Sequence, residues 1–497
     1  MDIKRLLRKK PLSAYENDIK NSQLKRVLGK WELTALGIGA IIGGGIFVLT
    51  GVAANLHAGP ALAASFILAG TGCLFAALCY AEFSSILPVE GSAYAYSYGT
   101  VGEFFAWFIG WNLILEYMMG ATTVAVSWSK YFEKLLHLAG INHFPSWLLN
   151  DPFTAREIAL KTGREAPAFS FNLPAGLIVW LVTYILIKGI KESAKTNNII
   201  VALKVTAVLF IIAVGAFHIN TSNWHPFIPA QVRDASGLKH YGIPGIITAA
   251  GIVFFAFIGF DAVSTQAQEA INPTKHIPFA IITSLIICTT LYILVSLVLT
   301  GMVKYTEIDT GAPVASAFSS AGLQWAAWII TLAAVIGLIS VMLVMMLSQT
   351  RIFLNMAKDG LLPQRTFAAI HPVFKTPWKS TLIVGGITSV IAAVTPIEKV
   401  TQMTSIGTLL AFSMICGAVW LLRRREPNLK RPYKVKYLPL VACLGIGFNV
   451  FLMFSLDKAT WLRLLVWSMI GIVIYFLYGA KHSNLNKITG SENITKP

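Results

Sequence analysis

Apolar residues run along this chain in about twelve stretches of roughly 20 positions, and that is the length a helix needs to cross about 30 Å of hydrocarbon. Their cores are Leu33 to Val52, Pro60 to Phe83, Val101 to Val124, Pro174 to Ile190, Asn198 to Phe217 and Ile243 to Val263, then Pro278 to Met302, Trp325 to Leu347, Thr381 to Val394, Ile406 to Leu422, Leu438 to Phe454 and Leu464 to Tyr478. Continuous runs exclude a membrane barrel, whose strands would alternate over about ten residues. The pattern predicts an all-α integral membrane protein with one transmembrane domain over residues 33–480. A basic segment, 1–32, precedes it and a short tail, 481–497, follows.

Two of the stretches are weakened in the middle. The first contains "GIGAIIGGGIFVLTG" from Gly37 to Gly51, with Gly43, Gly44 and Gly45 consecutive, and the sixth contains "FFAFIGFDAVS", with Gly259 two residues before Asp261. Breaks five spans apart predict two five-helix repeats, about 33–217 and 243–422, with extra helices at about 437–478. Unwinding a helix in hydrocarbon strands amide and carbonyl groups, which is tolerable only where a ligand, water or protein satisfies them. Paired interruptions at matching places in two halves mark the substrate site of a transporter. Freed N–H groups at the start of a half-helix suit a carboxylate, and freed carbonyls suit an ammonium. A small zwitterion fits both.

Composition agrees and charge adds orientation. The 497 residues are 55% hydrophobic and 13% charged, which no water-soluble globule tolerates. The net charge of +17 could suggest nucleic acid, but its distribution follows a membrane topology. With twelve spans and a cytoplasmic N-terminus, roughly 28 Lys and Arg fall inside against roughly 11 outside. Both termini are therefore expected in the cytoplasm, in a plasma-membrane protein beside anionic lipid, with no nucleic acid partner. The five cysteines all fall in spans and read as small apolar packers.

The residues carry a resemblance. "GIGAIIGGGIF", "FFAFIGFDAVS", "GWNLILEY", "GIKESAK" and "RIFLNMAKDGLLP" together resemble the amino acid, polyamine and organocation transporter superfamily, most closely its cationic amino acid transporter family. The resemblance implies a five-plus-five inverted-repeat fold of the leucine transporter type, alternating access and an amino acid substrate. It assigns the substrate carboxylate to Gly43, Gly44 and Gly45, and the ammonium to carbonyls of Ile41 and of the span 6 residues Phe255, Ala256 and Ile258. Phe255 matches an aromatic gate. Lys191 in "GIKESAK" matches a lysine that couples protons, so a proton rather than sodium is the implied coupling ion, with no separate cofactor or metal.

Ionisable residues within spans are costly and so are functional candidates. Glu116 and Asp261 qualify as accessory groups, whereas Lys204, deeper in span 5, reads as a lysine that snorkels to the interface. No catalytic constellation for an enzyme is visible. The residues leave cationic and small neutral substrates open, and symport as well as exchange of amino acids or polyamines. They specify no accessory subunit.

Overall fold

Among the described residues, twelve α-helices of 12 residues or more follow one another, because in hydrocarbon each long segment must satisfy its own backbone. The computed structural model describes residues 8–11, 26, 28–86, 92–141, 144–163, 165, 167–189, 194–233, 239–266 and 269–486; Lys191 lies outside them. The helices are α1 (Lys30–Ile41), α2 (Leu62–Ile86), α3 (Glu103–Leu138), α4 (Leu173–Lys188), α5 (Ala194–Ala216) and α6 (Gly242–Val253). They continue with α7 (Pro273–Met302), α8 (Gln324–Lys358), α9 (Trp378–Val394), α10 (Ile397–Arg425), α11 (Leu438–Phe454) and α12 (Lys458–Ile474). A two-residue ladder pairs Val232 with His240 and Arg233 with Lys239 before α6. Among the described residues, seven helical stretches are long and apolar enough to span a membrane, and α4, α9 and α11 are shorter apolar helices.

Several helices overrun their apolar cores. The third continues to Leu138 rather than ending near Val124, carrying its polar last turns beyond the hydrocarbon. Large apolar side chains such as Leu177 and Tyr184 on α4 are more than half exposed; a bilayer-facing surface accounts for them. Four cysteines are buried as expected, but Cys443 on α11 is exposed.

Both expected interruptions are present. The first helix stops at Ile41, Ile42 is extended, and the chain resumes in a π turn over Gly45–Leu49, a short α turn over Thr50–Ala53 and a second π turn over Ala54–Ala58. The bend thus starts at Ile42, one residue before the glycine run. The sixth stops at Val253, passes through a 3₁₀ turn at Phe254–Phe257, and reverses at Gly259, whose φ is +118°.

Packing pairs helices across the chain. α2 lies along α7, α3 along α8 and α10, α4 along α9, and α1 is held between α5 and α7. Below them, Arg8 faces Glu103 at 3.7 Å, and Ser483 donates to the same carboxylate at 2.6 Å. The two ends of the described chain therefore share one face, called here the N-terminal face. There Glu82 at the end of α2 is fully buried, clasped by Arg423 of α10 and by the backbone N–H of Val435.

Candidate functional site

The two breaks meet. A Cβ on Gly45 would lie 2.3 Å from Cβ of Ala256, and one on Gly259 would lie 2.8 Å from the carbonyl of Ala40. Only hydrogen at these positions lets the first and sixth segments cross so closely. The other bare faces are also covered by protein, Gly43 by Val341 and Gly44 by the hydroxyl of Ser127. What the break offers a ligand is therefore backbone. The resumed helix opens with the N–H groups of Ile46 and Phe47 both directed at the oxygen of Gly43, each at 3.3 Å. The first amides of such a helix have no acceptor within it.

The carbonyls converge from the other side. The hydroxyl of Tyr292, on α7, lies 2.9 Å from the oxygen of Ile41 and 2.9 Å from that of Ala256. One hydroxyl proton can serve only one of them at a time. Ile41 and Ala256 are thus brought together as expected. The oxygen of Phe255 instead accepts from the N–H of Ile258 at 3.1 Å, closing a local turn. Phe255 itself is buried beside the break.

Lys204 departs most from expectation. It is buried rather than snorkelling, with its ammonium 2.8 Å from the oxygen of Gly39 and 3.2 Å from that of Ile42. These are carbonyls that the end of α1 leaves without intrahelical partners. The stem of Lys204 passes over Gly337 of α8. Sequence reasoning missed both Lys204 and Tyr292, although a lysine in the middle of an apolar span was itself a signal.

The accessory acids form a separate cluster nearer the N-terminal face. Asp261 accepts from the hydroxyl of Tyr117 at 2.6 Å, and the neighbouring Glu116 is fully buried. Neither oxygen of Glu116 is in hydrogen-bonding geometry with any described group. Glu116 stands eleven positions from Ser127 on α3, about 16 Å at the helical rise. Apart from the hydroxyl of Ser127, the wall beside the break is apolar, with Leu338 near Gly44 and Val341 near Gly43.

The profile of the family described as amino acid permease matches residues 28–475. Relatives include the methylthioribose transporter of Bacillus subtilis (strain 168), 44% identical over 97% of this chain and 99% of its own. The branched-chain amino acid permease BcaP of the same organism is 46% identical over 93% of this chain and 95% of its own. Cationic amino acid transporter 2, vacuolar, of Arabidopsis thaliana is 37% identical over 86% of this chain and 64% of its own.

Proposed function

We propose, given that this chain belongs to the amino acid permease family, that it carries L-amino acids with apolar side chains by proton-driven alternating access. The convergence of Ile41 and Ala256 on one hydroxyl carries the reading. An ammonium has three protons where Tyr292 has one, so a substrate amine serves both carbonyls at once. Its carboxylate then lies at the amides of Gly43, Gly44 and Gly45, the positive end of the following half-helix.

The wall argues for an apolar side chain. Leu338 and Val341 border the break, while Glu116 lies about 16 Å from Ser127 along α3 and Asp261 is engaged by the hydroxyl of Tyr117. A guanidinium or ammonium side chain would end unpaired among apolar groups, at a cost of several kcal/mol. Two relatives named for a branched-chain amino acid and for a methylthio sugar each handle a compact apolar group. That correspondence supports leucine, isoleucine, valine and methionine over arginine and lysine.

Coupling is assigned to Lys204, since it, among the described lysines, reaches the carbonyls of α1. When α1 swings away, the ammonium loses both acceptors in a dry setting, which favours release of its proton. Proton binding thus favours one arrangement of the broken helix. The five-plus-five repeat is supported by the pairing of α2 with α7, α3 with α8 and α4 with α9, each helix lying on the one five places on. The shared face of the chain ends and the bias of Lys and Arg support a cytoplasmic N-terminal face in the plasma membrane.

The test is a thermal-shift screen of purified protein with single amino acids and with methylthioribose, followed by uptake into empty vesicles under an inward proton gradient. A ligand at a hundred times its Kd stabilises by about 2.7 kcal/mol. Stabilisation by arginine but not leucine would overturn the side-chain reading. Stabilisation by methylthioribose alone would overturn the amino acid reading, and uptake that requires internal amino acid would establish an exchanger instead.

A further inference from the structure

A cavity of about 350 Å³ lies apart from the helix breaks between α3, α8, α9 and α12. Its walls include Trp111, Gln349, Phe353, Phe367, Ile387 and Trp467, and none of the glycines at the breaks borders it. Its size falls within the range of small-molecule sites, about 300–1,000 Å³. Trp111 stands eight residues from the start of α3 and Gln349 nine from the end of α8, so both lie within about 14 Å of the N-terminal face. Ile387 on the rim is 47% exposed toward the surrounding hydrocarbon.

The polar groups on this wall are nearly all spent. The indole N–H of Trp111 donates to the oxygen of Trp467 at 2.8 Å, that of Trp467 donates back to Trp111 at 3.0 Å, and the rings stack 4.5 Å apart. Gln349 donates its amide N–H to the carbonyl of Ile114 at 3.3 Å. A carbonyl can only accept, so this bond fixes the orientation of the side-chain amide. It leaves Oε1 of Gln349, a residue only 1% exposed, without a partner among the described residues. A trapped water needs two to four polar neighbours. Here one acceptor stands in an apolar wall.

We infer that this cavity binds a hydroxyl-bearing amphiphile of the leaflet on the N-terminal side, a diacylglycerol-like lipid, with its chain against Trp111 and Phe353 and its hydroxyl donating to Gln349. An ester or ether would present acceptor to acceptor and gain nothing. A charged headgroup would find no charged residue on the wall. The site is independent of the transport reading, since none of the residues assigned to substrate or proton lines it.

The experiment uses the full chain purified in detergent, with dioleoylglycerol and its O-methyl ether as probes, the chains brominated for quenching of tryptophan fluorescence. The alcohol should bind at least threefold more tightly than the ether and raise the melting temperature further. Gln349→Met keeps the stem and should abolish that preference while retaining chain binding. Ile387→Trp, at the lipid-facing rim, should block the mouth and reduce quenching by both probes, which keeps the test decisive if Gln349→Met does not fold. Equal binding of alcohol and ether to the wild type, a preference that survives Gln349→Met, or quenching unchanged in Ile387→Trp would overturn the proposal.

Discussion

The ammonium of Lys204 lies 2.8 Å from the carbonyl oxygen of Gly39, fastening α5 to the last turn of α1. Lys204→Met keeps much of the length and removes both the charge and the donors. It should eliminate uphill uptake driven by an inward proton gradient in vesicles, and α1 should become more mobile in hydrogen exchange. Undiminished accumulation in this variant would remove Lys204 from the coupling mechanism. Gly337→Val should act similarly, because a Cβ at Gly337 already approaches the lysine stem to 3.3 Å.

Tyr292→Phe deletes the hydroxyl whose one proton Ile41 and Ala256 share, so that neither oxygen has that donor. The expected loss in the substrate-free protein is about 1–3 kcal/mol, read as a lower melting temperature. Saturating substrate should recover more stability in this variant than in the wild type, since its ammonium supplies the missing protons. Equal substrate-induced shifts would contradict the proposed ammonium site.

The glycines at the first break should differ in tolerance. Gly45→Ala sets a methyl 2.4 Å from the backbone of Ala256, where relief requires parting the two segments, so folding or transport should be lost. Gly43→Ala meets only a side chain, Val341, at 3.0 Å, and should retain measurable binding. Comparing melting temperature and ligand shift for the two variants checks the order.

Arg423→Met removes the closest cation from the buried carboxylate of Glu82, leaving it with Arg431 at 3.6 Å and the N–H of Val435. Breaking a buried pair on one side costs about 3–5 kcal/mol. The double variant Glu82→Gln with Arg423→Met should be less destabilised than Arg423→Met alone, as thermal unfolding would report.

Much of the architecture was legible because it rests on signals that extend over many residues. Twenty-residue apolar runs have few readings, and a glycine triplet in one of them has fewer. The contact of Gly45 with Ala256 and the turn at Gly259 follow from positions already singled out. The groups that complete the site were not legible in the same way. Tyr292 is one aromatic among many in a regular helix, and only the three-dimensional crossing brings its hydroxyl to both breaks. Lys204 sits in an apolar run where a long side chain has two fates, snorkelling or burial, and the open carbonyls of α1 decide between them. The start of the first bend at Ile42 was also hidden, since an isoleucine in an extended conformation leaves no mark in composition.

The two π turns beyond the first break give that segment a mode of movement of its own. Each holds one more residue per turn than an α-helix, so a turn that tightened would hand one residue onward and rotate everything after it by about 100°. Gly45–Leu49 and Ala54–Ala58 lie in series. A change of register in either turn would therefore present another side of His57, whose Nε2 now lies 3.6 Å from Glu398 of α10.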